Sequence, residues 1–176
     1  MEHFKRNPEA EVVLILTNNP QAYVLQRADN FEIPSHIFTR HEFYDTDDVI
    51  RLLKNLQVDL IVLAGFLWKI PAELIAAYPD RILNIHPALL PAFGGKGMYG
   101  DAVHEAVVAA GSRESGITIH YVDEIYDHGR VFFQASFNLS PGETAASLAE
   151  KIHNLEHKYY PEQIARWVEC KLSLNP

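Results

Sequence analysis

Short apolar runs constrain the fold of this chain most strongly. Residues 12–17 (VVLILT) and 60–64 (LIVLA) are continuous and rich in β-branched side chains. Runs of this kind are typical of parallel strands that are buried on both faces of a sheet. Residues 35–39 and 82–85 favour two further short strands, and the second of these leads directly into a His-Pro pair. The first half of the chain is therefore expected to build a sheet.

Helical patterns separate these runs. Apolar residues recur at helical spacing over residues 47–57, and shorter helices are expected over residues 22–28 and 72–78. Alternating strands and helices predict a parallel α/β sheet. The second half is expected to hold a helix, two strands and a long last helix, over residues 103–110, 116–122, 131–139 and 145–169. Since no repeat or linker divides the chain, residues 1–176 are predicted to form a single domain.

Charge and composition argue against several classes of protein, namely nucleic-acid-binding, disulfide-bonded, secreted, membrane-spanning and metal-binding ones. The formal net charge of −8 argues against a general attraction to nucleic acid. Cys170 is the only cysteine, so an internal disulfide is excluded, which fits a reducing cytosol. The charged first ten residues do not resemble a signal peptide, and the apolar stretch at residues 60–68 is too short to span a bilayer. The histidines lack metal-ligand spacing, so no metal is expected.

The segment RILNIHPALLP, residues 81–91, carries the most informative polar pattern. Its strand delivers Asn84 and His86 to the carboxyl edge of the sheet, where ligands bind in open α/β folds. Alternate strand residues face one side, so both side chains can meet one substrate atom. An amide can stabilise an oxyanion, and an imidazole can carry protons near neutral pH. The alternative stays open that Asn84 only caps the strand and His86 forms a turn hydrogen bond.

A second polar segment, HYVDEIYDHG at residues 120–129, contains the acids Asp123, Glu124 and Asp127. A carboxylate placed near His86 would raise the pKa of its imidazole and fix its orientation. Gly129 fits a tight turn that would hold such a carboxylate in place. Taken alone, the same letters also describe an ordinary solvated acidic loop.

The segments LAGFLWKIP, RILNIHPALLP and ESGITIHYVDEIYDHGRVFFQ, in this order, resemble the formyltransferase family that uses 10-formyltetrahydrofolate. The resemblance spans about residues 12–168 and implies a Rossmann-like α/β fold, with a mostly parallel sheet and helices on both faces. TNNPQAYVLQRA and LEHKYYPEQI look most like the members that formylate the amine of 5-phosphoribosylglycinamide in purine (IMP) biosynthesis. The resemblance implies a cytoplasmic enzyme with two small-molecule partners, glycinamide ribonucleotide and the formyl-folate co-substrate. It is compatible with a homodimer.

The resemblance also implies a catalytic set of Asn84, His86 and Asp127. In the family reaction, the substrate amine attacks the formyl carbon of the folate and a tetrahedral intermediate forms. Asn84 would stabilise the oxyanion of this intermediate, and His86 would shuttle protons. Asp127 would keep His86 protonated and oriented.

A folate-binding segment is implied after the second continuous apolar run. The residues that match the family's pterin-binding positions are Leu67, Trp68, Lys69 and Ile70, together with Asn84. Trp68 stands where many relatives carry arginine or another residue, so the local contact is expected to differ. For Leu67 and Ile70, a place in the core after the strand is an equal alternative.

The substrate side of the site is implied at two further positions. Glu156 matches a carboxylate that binds ribose hydroxyls, with a solvated helix face as its alternative, and His104 matches a supporting histidine, as does His120. The glycine-rich loop at residues 93–100 (FGGKGMYG) is longer than in many relatives. Its Lys96 could meet the folate tail or a phosphate, and a flexible surface loop is the alternative.

The start of the chain departs from the family pattern. The run VVLILT matches the second family strand, so the first strand and its phosphate-binding loop are expected to be missing from an N-terminally truncated enzyme. Two alternatives follow. One is a formyltetrahydrofolate deformylase, and the other is a catalytically silent fragment that at most binds folate.

Overall fold

The computed structural model describes residues 1–5 and 7–174. They form two compact units, one built from residues 1–59 and the segment from Ala165 onward, the other from Leu60–Ile164. The single domain expected from sequence stays a prediction. Within the described ranges, no helix is both long enough and apolar enough to cross a membrane.

The first unit contains a small parallel sheet. Strand β1 (Ile15–Thr17) pairs in parallel with β2 (Ser35–Ile37), as the apolar runs predicted, although β1 is shorter than expected. Helix α1 (Tyr23–Asn30) connects the two strands, and α3 (Asp48–Asn55) is the predicted amphipathic helix.

Helix α2 (Arg40–Tyr44) lies in the first unit and was not predicted. Its start is a capping box: the Thr39 hydroxyl accepts a hydrogen bond from the Glu42 N–H, and the Glu42 carboxylate accepts one from the Thr39 N–H. The reciprocal bonds satisfy two backbone donors that a helix start leaves open. The T-x-x-E spacing was therefore a signal for this helix.

The second unit holds a four-stranded sheet in the order β3-β4-β5-β6. The strand bounds are Ile61–Leu63, Ile82–His86, Glu114–Tyr121 and Val131–Asn138, and the helices α4, α5 and α6 span Ala72–Ala77, Asp101–Ala109 and Ala145–Leu174. Strand β3 pairs with β4 in parallel, whereas β4 with β5 and β5 with β6 are antiparallel. The α/β class is confirmed, with β4 between a parallel and an antiparallel neighbour.

A continuous core lies in the second unit. It contains fully buried residues from α5, β5 and α6 and from the turn after β4, namely Val103, Val107, Ile117, Leu148, Ile152 and Ala88. Burial of an aliphatic side chain of this size stabilises a fold by about 1.5–3 kcal/mol. The close approach of β5 to β6 requires Gly116, since a Cβ there would lie 2.0 Å from the Ala135 carbonyl oxygen.

A buried side-chain network fixes the chain where it leaves β4. The Thr118 hydroxyl on β5 donates to the Ala88 carbonyl at 2.7 Å and accepts from the Leu90 N–H at 2.9 Å. The Gln134 amide on β6 donates to both the Thr118 hydroxyl and the Leu90 carbonyl. The segment that follows the polar end of β4 is therefore tied to the two antiparallel strands.

Tyr160 links α6 to the parallel strands. Its buried hydroxyl lies 2.8 Å from the Leu63 carbonyl oxygen and 3.1 Å from that of Leu83. Burial, with a smaller effect of Glu156, raises the pKa of Tyr160 well above its usual value, so the hydroxyl stays protonated and donates. This places α6 against β3 and β4.

We expect Tyr160→Phe to lower the free energy of unfolding by about 1–2 kcal/mol, because two buried carbonyl groups lose their donor. Urea unfolding followed by circular dichroism measures the change. Tyr23→Phe is the matched control, since Tyr23 is 70% exposed. Equal unfolding midpoints for the two variants would show that the Tyr160 hydroxyl does not stabilise the packing of α6 against β3 and β4.

Candidate active site

Strand β4 delivers two polar side chains to one edge of the sheet of the second unit. Asn84 lies opposite His120 of β5, and His86, the last residue of β4, lies opposite Thr118. His86 is only 3% exposed. Residues two apart on a strand face the same side, so the predicted pairing of Asn84 and His86 follows from the strand itself.

Asp127 lies beside His86. It belongs to the loop between β5 and β6, and its Oδ2 atom is 3.6 Å from His86 Nδ1. The same oxygen accepts a hydrogen bond from the Gly95 N–H at 2.9 Å. The structure thus brings together the imidazole and the carboxylate that the sequence predicted as partners.

The loop that carries Asp127 is tightly folded. Asp127 has a φ of 54°, in the left-handed region that aspartate tolerates better than most residues. Gly129 follows, and a Cβ there would lie 1.8 Å from the Tyr121 carbonyl oxygen, so only glycine fits. The tight turn predicted here is confirmed: it covers residues 126–128 and ends at Gly129, and it presents the Asp127 carboxylate to the Gly95 N–H.

The hydrogen bond of His86 defines its tautomer. Its Nε2 atom lies 2.8 Å from the Phe93 carbonyl oxygen. Because a carbonyl can only accept, Nε2 carries a proton, and in the neutral ring Nδ1 is the unprotonated nitrogen. This free nitrogen is the one that faces Asp127.

Burial lowers the pKa of His86, while the Asp127 carboxylate and the Phe93 carbonyl act in the opposite direction and offset part of the effect. As expected, the Asp127 carboxylate acts to raise the pKa of His86. The loss of hydration outweighs the attraction of one carboxylate, so Asp127 alone does not bring the pKa of His86 above its usual value. At neutral pH the imidazole is therefore predominantly neutral and can accept a proton. The catalytic role of Asp127 stays a prediction.

Asp127 itself is ionised at neutral pH. Burial raises the pKa of its carboxyl group, but His120, the Gly95 N–H and His86 together outweigh this effect and bring the pKa below its usual value. An ionised carboxylate next to a neutral imidazole favours the transfer of a proton to the imidazole, since the imidazolium that forms is paired at once.

His120 orients Asn84. Its Nδ1 lies 2.9 Å from the Tyr121 carbonyl oxygen and must donate there, so in the neutral ring Nε2 accepts the hydrogen bond from Asn84 Nδ2 at 3.1 Å. Nε2 also lies 3.6 Å from Asp127 Oδ1. His120 was predicted to have only a supporting role. A prediction of the β4–β5 pairing would have identified it, because this pairing places it opposite Asn84. One amide N–H of Asn84 is thereby used, and the second has no acceptor within residues 1–5 and 7–174.

The predicted substrate residues lie on helices of the same unit. His104 on α5 is 3% exposed, its Nδ1 atom has no hydrogen-bond partner among the described residues, and burial lowers its pKa. Burial raises the pKa of Glu156 on α6, with partial opposition from His153 and His157. His153 acts electrostatically on both His104 and Glu156, which indicates that α5 and α6 place them in one neighbourhood. Their binding roles stay predictions.

The predicted folate segment follows β3, whose carboxyl end lies at the same sheet edge as that of β4. Ile70 is buried, in agreement with its alternative as a core residue, whereas Leu67 is 54% exposed. Trp68 meets the edge of the Phe66 ring, and Lys69 is exposed. Lys96 of the glycine-rich loop is exposed as well. The folate-binding roles of these residues stay predictions.

A pH dependence of stability follows from the two buried histidines. The pKa values of His86 and His104 are both lowered, so the unfolded chain binds protons at a higher pH than the folded one. Stability is then complete above the ordinary histidine pKa of 6.5 and falls as the pH drops below it. Each histidine contributes a slope of at most about 1.4 kcal/mol per pH unit.

We expect His104→Asn to reduce this slope, as measured by urea unfolding at pH 7.5, 6.5 and 5.5. His3→Asn, the same substitution at an exposed histidine, is the control. A slope that His104→Asn leaves at the wild-type value would contradict the assignment of the pH dependence to buried imidazoles.

Known proteins resemble this chain over most of its length. The family model described as Formyl transferase matches residues 1–164. The chloroplastic phosphoribosylglycinamide formyltransferase of Arabidopsis thaliana is 43% identical over 167 residues, which are 92% of this chain and 57% of the relative. The chain thus spans little more than half the length of that protein.

Two further relatives are matched over more of their length. The phosphoribosylglycinamide formyltransferase of Bacillus subtilis is 39% identical, with 91% of this chain and 82% of the relative covered. The crystal structure of the enzyme of that name from Anaplasma phagocytophilum superposes with a TM-score of 0.86 at 30% identity, over 97% of this chain and 79% of the other. The Rossmann-like fold is shown by this likeness, and the chain belongs to the formyl transferase family.

Proposed function

We propose that this protein transfers the formyl group of 10-formyltetrahydrofolate to the amine of 5-phosphoribosylglycinamide. The observation that carries the proposal is the contact of His86 Nδ1 with Asp127 beside Asn84, in a chain of the formyl transferase family. The relatives from Arabidopsis thaliana and Bacillus subtilis carry the name of this activity. No metal is needed for the chemistry.

In the proposed reaction, the amine nitrogen attacks the formyl carbon, a C–N bond forms, and the carbonyl electron pair moves to oxygen. The free N–H of Asn84 donates to this oxyanion, a contribution of about 100- to 1,000-fold in rate by analogy with other oxyanion donors. The attacking nitrogen gives up a proton to His86 Nδ1. The C–N10 bond to the folate then breaks, and the same proton neutralises the departing N10.

Asp127 stabilises the imidazolium that exists between these two proton transfers. The neutral ground state of His86 suits it to act first as a base, and the nearby carboxylate limits the cost of its charge. General acid–base catalysis of this kind contributes about 100- to 10,000-fold. The two side chains are 4% and 11% exposed, and this low exposure to water strengthens the electrostatic interaction between them.

The remaining binding roles belong to the same proposal. The pterin end of the folate would contact Leu67, Trp68, Lys69 and Ile70, next to Asn84. Glu156 would accept hydrogen bonds from the ribose hydroxyls of the ribonucleotide, since a carboxylate is an acceptor only. His104 would support this binding, because an imidazole nitrogen can either donate to a hydroxyl or accept from it. A cytoplasmic location and a homodimer stay predictions from the sequence.

His86→Ala is expected to lower kcat for formyl transfer by about 100- to 10,000-fold, because the proton shuttle is lost. The assay follows the appearance of tetrahydrofolate and of formylated product when the purified protein is mixed with both substrates. His41→Ala, at an exposed histidine on α2, is the control and should keep wild-type turnover.

The same assay separates the alternatives. Release of free formate without formylated amine in the wild type would replace the transferase by a deformylase. Binding of the folate without release of formate or formylated amine would identify a catalytically silent protein. Either of these two results would overturn the proposal.

The pH profile of kcat/KM, which reports pKa values of the free enzyme, gives a second prediction. Because His86 must be neutral to act as the base, activity should rise with pH through its pKa, with a midpoint below the ordinary histidine value of 6.5. Asp127→Asn removes a charge that raises this pKa, so the midpoint should move to still lower pH while the rate falls. Asp29→Asn, at an exposed carboxyl on α1, is the control. A midpoint that moves upward in Asp127→Asn would contradict the arrangement.

A further inference from the structure

A short stretch of backbone, residues 93–95, contacts both members of the His86–Asp127 pair. The Phe93 carbonyl accepts the hydrogen bond from His86 Nε2 at 2.8 Å. Two residues later, the Gly95 N–H donates to Asp127 Oδ2 at 2.9 Å. The backbone of a single loop therefore provides an acceptor for His86 and a donor for Asp127.

The loop is anchored and not free at the surface. Phe93 and Met98, on either side of the glycines, pack against the core of the second unit. The Met98 N–H donates to the Gly95 carbonyl, which closes a turn between them. The alternative of a flexible surface loop over residues 93–100 therefore does not apply to residues 93–98.

The backbone of the stretch is strained. Phe93 has a φ of 57° in the left-handed region, where a bulky residue is a rare outlier, and Gly95 has a φ of 97°. Strain of this kind persists when the surrounding structure over-determines it, and it concentrates at functional sites. The strained conformation is what aims the Phe93 carbonyl at one partner and the Gly95 N–H at the other.

Gly94 is required by space and not by a left-handed conformation. A Cβ at this position would lie 2.4 Å from Leu90 Cδ2 and 3.1 Å from Asp127 Cβ. The Leu90 methyl group is the end of a flexible side chain and can move. Asp127 has less freedom, because its own turn is tight, so an added methyl group would displace the carboxylate by a few tenths of an ångström.

We propose that residues 93–95 are a positioning segment, in which the Phe93 carbonyl selects the Nε2–H tautomer of His86 while Gly94 and Gly95 set the place of Asp127 opposite Nδ1. The segment acts through its backbone, so it needs no reactive side chain. The kinetic consequence rests on the proposed transferase function, whereas the structural consequence does not.

Nitrogen NMR of histidine side chains tests the structural consequence. With ¹⁵N-labelled histidine, and with His86→Gln to assign the signal, neutral His86 of the wild type should show a protonated Nε2 and an unprotonated Nδ1. In Gly94→Ala the pKa of His86 should fall, because the added methyl group pushes away the Asp127 carboxylate that raises it. Gly97→Ala is the control for strain in the same loop. Its Cβ would meet no atom within 4 Å, and its φ of 92° disfavours alanine without any contact with Asp127.

The effect of Leu90 is separated by a double-mutant cycle. Leu90→Ala removes the methyl group that Gly94→Ala would strike and leaves the 3.1 Å contact with Asp127 in place. The double variant should therefore still show the altered His86 titration relative to Leu90→Ala alone. It also serves as the test in case Gly94→Ala by itself folds poorly.

Turnover supplies the second readout. Gly94→Ala should lower kcat by about 10- to 100-fold, the size expected for a small misplacement of a catalytic group, with little change in KM. An unprotonated Nε2 in the wild type, or a titration in which Gly94→Ala matches Gly97→Ala, would overturn the proposal. A wild type with the expected NMR signals but no formyl transfer would instead overturn the proposed function alone.

Discussion

The hydrogen bond from His86 Nε2 to the Phe93 carbonyl determines how the rest of the site works. It leaves Nδ1 as the only ring nitrogen that can exchange a proton, and that nitrogen faces Asp127. Burial then lowers the pKa of the imidazole, while the carboxylate raises it in part. Two opposing effects thus produce a group that is neutral at rest and yet paired when it becomes charged, which is what a shuttle between two proton transfers requires.

The antiparallel pairing of β4 with β5 supports this arrangement from the other side. Register places His120 opposite Asn84 and Thr118 opposite His86, so one strand orients the amide and fixes the turn that follows the imidazole. A slip of one residue would turn both side chains to the other face of the sheet. Gly116, two residues before Thr118, permits the close contact with β6 that holds this register.

Much of the fold could be predicted from local pattern, because buried strands and amphipathic helices leave a periodic signal. The strand that carries Asn84 and His86 was placed correctly and extends one residue further, to His86 itself. Element ends were less exact, as at β1, which begins at Ile15 and not at residue 12. Asp127 could be paired with His86 only through the family resemblance, since 41 residues separate them and periodicity carries no information over that distance.

What the sequence could not supply has two physical origins. The sign of the net pKa shift of His86 depends on burial, which is a property of the packed fold and not of any neighbouring letter. The positioning groups are a carbonyl and an N–H, and every non-proline residue has both. Lys96 is the one charged side chain of the glycine-rich loop, yet the loop contacts His86 and Asp127 through the backbone of Phe93 and Gly95. The informative letter there is Gly94, because the absence of a side chain is what allows the backbone to approach.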